Sequence, residues 1–398
     1  MRQFWTNFRN FFRRGDMVLL LLCLVTSAFG CLMIASTTNH TGTLRYVYVQ
    51  IAAIVLGVLV YMFISSLNVD FFSEHRIWLV AFNMLLIVML IPFGTDYDSG
   101  NRSWLNFPFL PVAIQPAEYC KITFVLIMAS VMASHQNRLS SLRSIVHMGW
   151  NLALVAVLNW LISGDLGVSM IFVFIFIGMA FAGGVKMGWF AFGTGIIAVG
   201  APLAWNYLLT QRQQNRILVL FDPSIDPLGR NERYHILMSQ QSLNSGGMLG
   251  QGLFNGARTQ KGDELFAQHT DFIFSAIGEE LGFCGCLLVI ALLMAIIIRC
   301  IQVGNRSPDY MRKILCFGVA AAMIFQVVVN VGMCIGLVPI VGLTLPFISY
   351  GGSSIVSLFA MLGFVSGVHA RPQRPVHERY IQPPIGMEVR QRRLRNDY

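Results

Sequence analysis

Charge is sparse in this chain. Of its 398 residues only 12% are Asp, Glu, Lys or Arg, while 55% are hydrophobic. A soluble domain carries about 25% charged residues, so a water-soluble globular protein is excluded and a chain that crosses a membrane several times is implied. Cysteine is missing where it would form a framework. All eight Cys lie in or beside apolar runs and none falls in the long polar stretch 210–270, which removes both a disulfide scaffold and a zinc spacing. Cys284-Gly285-Cys286 reads as small packing residues within a helix. No internal repeat suggests a two-halved transporter. No cleavage site interrupts the apolar run from Met17 to about residue 36, so that run is an uncleaved first span and not a signal peptide.

The net charge of +9 resembles that of a nucleic-acid binder, but its distribution excludes one. Ten spans are expected, at about 17–36, 46–66, 77–93, 117–134, 148–163, 166–184, 188–209, 271–297, 314–336 and 350–369, each long enough to cross when flanked by polar ends. Ten crossings put both termini on one side. Of 28 Lys and Arg, 19 fall in the termini and the connections assigned to that side, as the positive-inside rule requires of a cytoplasmic face. The expected fold is an all-α polytopic membrane protein. A basic, aromatic interfacial segment (1–16) precedes the membrane domain (17–370), and an Arg- and Pro-rich tail (371–398) reads as disordered. The 210–270 segment is a long extracytoplasmic loop; loops of that length translocate largely regardless of their charge.

Several polar groups exceed what topology needs. The stretch 268–283, QHTDFIFSAIGEELGF, begins at the seam between the loop and an apolar span. Asp271 stands at that seam, either as a helix cap or as a functional acid. Glu279 and Glu280 follow about 12 Å along the helix, where charge is costly and marks either a buried structural pair or a functional interior. Arg102 and Trp104 precede Gln115-Pro116-Ala117-Glu118-Tyr119-Cys120-Lys121. Glu118 and Lys121, three residues apart, share a helix face, either as a snorkelling pair or as a cationic lining for an anionic head group. Asp165, in Gly164-Asp165-Leu166-Gly167, is a turn former or a cavity acid. Gly246, Gly247, Gly250 and Gly252 lead on to Lys261 and Asp263; they form either a flexible linker or a phosphate cradle. The run 336–354 carries Pro339, Pro346, Gly351, Gly352 and Ser353 at a membrane edge. Broken backbone there is tolerated only against protein or a cavity, so a wedge lining the outer cavity is expected. Such a cavity suits an enzyme acting on a lipid-linked phosphate, or a transporter of one.

These motifs, in this order, resemble the SEDS proteins (RodA, FtsW and the sporulation homologues) over roughly residues 15–370. The run 336–354 looks like the family signature, and Arg102 to Lys121, Asp165 to Gly167 and 268–283 fall in register. The stretch Glu264-Leu265-Phe266-Ala267 departs from the family's usual Tyr-Leu-Pro-Glu. The resemblance implies a peptidoglycan glycosyltransferase that polymerises lipid II on the outer face of the bacterial cytoplasmic membrane, with a class B penicillin-binding protein as transpeptidase partner; a lipid II flippase is the alternative. It also implies that Asp271 is the essential acid, and that Arg102, Glu118, Lys121, Asp165 and Asp263 surround the cavity. An inverting reaction needs a base for the acceptor hydroxyl, here Asp271. It also needs positive charge for the departing diphosphate, from Arg102, Lys121 or a divalent Mg or Mn ion.

Overall fold

The computed structural model describes residues 15–95, 102–106, 113–207, 209–226, 232–262 and 267–371; the interfacial segment, Asp263 and nearly all of the basic tail lie outside them. Ten helices are long and apolar enough to cross a membrane. They are α1 (Met17–Thr37), α2 (Arg45–Ser66), the pair α4 and α5 (Arg76–Val88 and Leu90–Phe93) and α6 (Pro116–Ser134). Then follow α7 (Leu142–Ser163), α8 (Leu166–Gly183), α9 (Met187–Tyr207), α12 (Ile273–Arg306), α13 (Tyr310–Cys334) and α14 (Gly352–Ala370). Short α3 (Val69–Glu74) links α2 to α4. In the long loop lie α10 (Gln211–Leu218) and α11 (Glu232–Gly246). A two-residue ribbon, β1 (Gly94–Thr95) with β2 (Trp104–Leu105), closes the connection after α5.

The spans expected from hydropathy are all present, but some ends differ. Helix α7 starts at Leu142 and not at 148, because Ser141 caps it by accepting from the Ser144 amide and the polar turn through His147 continues the helix beyond its apolar part. Helix α12 starts two residues after Asp271 and runs on through Arg299 to Arg306, past the last residue an apolar window would include.

Helices α6 and α14 are buried on almost every side, with α13 next, while α9 has no buried residue and is apolar all round. Close approach explains the centre: a Cβ on Gly363 would meet the Tyr61 carbonyl at 3.0 Å, and one on Gly57 would meet the Phe359 ring at 2.4 Å. Two buried ion pairs tie one end of the bundle. Arg299 grips Asp16 through Nε and Nη2 at 2.8 and 3.1 Å, and the Asp16 amide donates to Ser366 Oγ at 3.1 Å. Arg312 reaches Asp70 at 2.7 Å and also donates to the Arg371 carbonyl. The start of α1 and the end of α14 therefore share one end, as ten crossings require.

At the other end the long loop folds back into the membrane domain. Gly282 breaks α12 with φ 67° and ψ −164°, which frees backbone groups on both sides of the break. The loop takes them up. Gln251 N and Gly252 N donate to the carbonyls of Glu279 and Glu280 at 3.0 and 2.9 Å, while Phe283 N and Cys284 N donate to the carbonyls of Gly247 and Met248 at 2.9 and 3.2 Å. The exchange satisfies groups that lipid would leave bare. Glycine is demanded by this contact: a Cβ on Gly250 would lie 2.1 Å from the Glu280 carbonyl oxygen, and Gly250 already has φ +80°.

The glycine-rich run is thus neither a free linker nor a phosphate cradle, since the amides of Gly250, Gln251 and Gly252 are all consumed within the protein. A Gly250→Ala substitution is expected to cost about 1–3 kcal/mol, the usual range for such backbone strain. It should raise deuterium uptake in 246–262 and in 278–290 together, read by mass spectrometry. Uptake that rises in the loop alone would mean that the break does not depend on it.

Candidate active site

Asp271 occupies the junction between loop and membrane domain, and its backbone is held from three directions. Its carbonyl accepts from Asn330 Nδ2 at 2.9 Å, and the same amide group donates to the Leu343 carbonyl at 2.7 Å. Just before it, Ser349 Oγ donates to the Thr270 carbonyl at 2.6 Å and the Tyr350 amide to the His269 carbonyl at 2.8 Å. Gln50 in turn fixes Ser349 and Gly351 through its amide group, at 3.1 and 3.2 Å.

The segment expected to form a wedge is irregular backbone between α13 and α14. It grips the 268–271 turn. Pro346 lies buried in it beside Phe347, and Pro339 is half-buried. A Cβ on Gly30 would meet the Phe347 carbonyl at 2.6 Å, so α1 backs the wedge. Gly351 and Gly352 open α14, and Ser353 Oγ accepts from the Gln115 amide at 3.4 Å.

The Asp271 side chain is not a helix cap. Helix α12 begins at Ile273 with Phe272 as a cap that makes no side-chain bond. Among the described residues nothing donates to the Asp271 carboxylate, which faces Gly342. Burial, and then the charge of Asp165, push it up to about 6. A carboxyl held near 6 is half ionised at mildly acidic pH and basic enough to take a proton at neutral pH.

Asp165 is a helix cap that also takes a side-chain bond. It caps α8 by accepting from the Val168 amide at 3.1 Å, and its other oxygen accepts from Ser103 Oγ at 3.3 Å. Burial raises it, partly offset by these bonds and by the Arg216 charge. Gly167 lies where a Cβ would meet Val341 at 2.6 Å, which seats Asp165 against the wedge near Asp271. Arg216 comes from α10, a helix opened by a capping box between Thr210 and Gln213. Sequence reading passes over Arg216; a capping box before an amphipathic turn is the available signal for it. Arg102, next to Ser103, is exposed.

Glu118 and Lys121 do not join this cluster as free groups. They form a 2.8 Å ion pair with both side chains buried, and Ser357 Oγ donates to the second Glu118 oxygen at 2.6 Å. The pair neither snorkels nor stands open; it joins α6 to α14. Glu279 and Glu280 are fully buried beneath the loop. Glu279 accepts from the Arg258 amide at 2.7 Å and Thr259 Oγ1 at 2.9 Å; Glu280 accepts from Ser36 Oγ and from Gln260 Nε2 at 2.9 Å. They are structural anchors for the loop. Lys261 is exposed beyond them.

As for metal, no group of three His, Cys, Asp or Glu side chains gathers among the described residues. Magnesium needs less, because it takes one or two carboxylates and completes its shell with water and substrate phosphate. Asp165 could supply one such carboxylate, and its charge is close enough to Asp271 to raise that acid.

Similarity to known proteins extends over most of the chain. The chain is 30% identical to peptidoglycan glycosyltransferase MrdB of Escherichia coli strain K12 over 359 residues, covering 89% of this chain and 93% of that one. It is 30% identical to stage V sporulation protein E of Bacillus subtilis, covering 89% and 96%. Among solved structures, a chain from a study titled "Structural coordination of polymerization and crosslinking by a peptidoglycan synthase complex" matches with a TM-score of 0.77 at 26% identity, covering 91% of this chain and 99% of that chain. The rod shape determining protein RodA of Thermus thermophilus shares the fold, with a TM-score of 0.68 at 24% identity, covering 91% and 98%. With residues 16–374 matching the FtsW/RodA/SpoVE cell cycle proteins, this chain belongs to that family, the SEDS proteins.

Proposed function

We propose that this multi-pass membrane protein polymerises lipid II, the undecaprenyl-diphosphate-linked disaccharide peptide, into glycan strands for cell-wall elongation or division. The site faces the extracytoplasmic side of the cytoplasmic membrane, and a class B penicillin-binding protein cross-links the product. The observation that carries the reading is Asp271: an acid fixed through its backbone, with no hydrogen bond to its carboxylate among the described residues, raised to about 6. The names of its relatives, peptidoglycan glycosyltransferases, point the same way.

The chemistry runs in one displacement. The Asp271 carboxylate takes the proton of the acceptor hydroxyl while that oxygen attacks the anomeric carbon of the donor. The carbon–oxygen bond to the diphosphate breaks, and the diphosphate leaves with the electron pair and needs no proton. An α-linked donor thus gives a β-linked product, with inversion. Arg216 and the exposed Arg102 supply positive charge on the Asp165 side, while Lys121 is occupied by Glu118. A magnesium or manganese ion held at Asp165, its shell completed by water and diphosphate oxygens, would add charge against the leaving diphosphate. A path for flipping lipid II across the bilayer finds less support: the buried acids described at the opposite end of the bundle, Asp16 and Asp70, are tied to Arg299 and Arg312.

The test is polymerisation of purified lipid II in detergent, with and without the cognate transpeptidase, read as glycan ladders on gels. Ladders are expected with wild-type protein. EDTA should suppress them and added magnesium restore them; ladders indifferent to EDTA would remove the metal from the reading. Arg216→Ala should raise the KM for lipid II about tenfold, the loss of one charge-assisted contact of about 1.4 kcal/mol. Lipid II that crosses proteoliposomes without ever forming ladders would overturn the polymerase reading.

A further inference from the structure

In the turn that leads into Asp271, three rings from three separate segments meet. Tyr46 opens α2, His269 lies two residues before Asp271, and Tyr350 lies in the wedge. Their ring centroids are 5.0 Å (Tyr46–His269), 5.2 Å (Tyr46–Tyr350) and 5.7 Å (His269–Tyr350) apart, tilted or edge-on. All three are half-buried, so each keeps an open part.

The rings are fixed in place. The Tyr350 amide donates to the His269 carbonyl, and Gln50, one turn along α2 from Tyr46, holds the backbone on both sides of Tyr350. A tyrosine belt at the membrane surface would place rings along helix ends facing lipid. Tyr48, exposed on the same helix, fits that description. His269 and Tyr350 do not, because they sit on irregular backbone next to the acid.

We propose that Tyr46, His269 and Tyr350 form a stacking platform for a pyranose ring, the acceptor sugar of the reaction. The inference rests on the polymerase reading for the word acceptor, and on the rings alone for the saccharide. A pyranose presents an apolar face of C–H groups and a polar rim of hydroxyls. Rigid aromatic faces take the first and leave the second free to reach a neighbouring carboxylate. His269 and Asp271 are two residues apart, at most about 7 Å along the chain, which is the span of one sugar ring. A ring stacked on His269 therefore carries a hydroxyl to Asp271. The diphosphate of the donor would then lie with Asp165 and Arg216.

The experiment uses a probe that cannot react: the lipid-free disaccharide peptide, titrated into detergent-solubilised Asp271→Asn protein and followed by saturation-transfer NMR on the sugar C–H protons. Transfer to those protons is expected. It should fall at least tenfold in affinity with Tyr46→Ser or Tyr350→Ser, fall less with Tyr46→Phe, and stay unchanged with Tyr48→Ser. Melting curves for each variant separate lost binding from lost fold. Equal binding by a folded Tyr46→Ser and wild-type Tyr46 overturns the platform, even if lipid II is polymerised. Ring-dependent binding by a protein that never forms ladders keeps the saccharide site and rejects the polymerase. In polymerisation, the same Ser variants should raise KM with little change in kcat, and a drop in kcat alone would place the rings in some other role.

Discussion

Asp271→Asn is expected to reduce lipid II polymerisation by about 100- to 10,000-fold, the usual contribution of a positioned general base, while the protein stays folded and partner-bound. The pH profile gives the sharper test. As base, Asp271 acts only when ionised, so kcat/KM should fall as pH drops through about 6 and level off above it. Part of the elevation comes from the Asp165 charge. Asp165→Asn removes that charge, so the acid limb in whatever activity remains should move to lower pH. A limb that stays in place would mean the titrating group is not Asp271.

Stability should move in the opposite direction to activity. A carboxyl raised from its ordinary 3.8 is less willing to ionise in the folded protein than in the unfolded chain. It therefore subtracts stability at neutral pH, and the penalty disappears below about 3.8, where both states hold the proton. Asp271→Asn should melt higher than wild type at pH 8, with the advantage shrinking towards pH 4. A variant that melts lower at pH 8 would mark Asp271 as structural.

The second large effect belongs to Glu118 and Lys121. Removing one member of a buried ion pair leaves the other charged and uncompensated, at a cost of about 3–5 kcal/mol. Lys121→Met should show this as a large drop in melting temperature, since Ser357 alone then faces the Glu118 carboxylate. The double variant Glu118→Gln with Lys121→Met removes both charges and should recover most of the loss. Activity in the recovered protein then decides the role of the pair. Ladders near wild-type level fit a pair that only joins α6 to α14, while their loss from a well-folded double variant would put Lys121 in contact with substrate.

The spans were legible because an apolar run of about twenty residues has few alternatives. The ends were less so: the polar turn from Leu142 to His147 prolongs a helix that hydropathy truncates. At the site, the oddity of Glu279 and Glu280 was visible in sequence, but their meaning was not. Their partners Ser36, Thr259 and Gln260 lie 244, 20 and 20 residues away, and no local pattern announces them. The glycine run illustrates the same limit. A missing side chain says that something comes close, and only the fold says that it is the Glu280 carbonyl and not a phosphate. Glu118 and Lys121 were readable as a pair from their spacing; their depth depends on Ser357, 239 residues from Glu118. The ring of Tyr46 carries no sequence mark of function, since it acquires one from His269 and Tyr350, far along the chain.

The interrupted helix at Gly282 bears on how the protein is made. The stretch of loop that completes the break leaves the ribosome before the break itself, so its amides and carbonyls must already stand at that end of the bundle when 283–306 is seated. Placement of the loop is thereby a precondition for seating that helix. Exchanging these loops between relatives should succeed only when 246–262 and 278–284 travel as one cassette, because each segment holds half of a single set of backbone bonds.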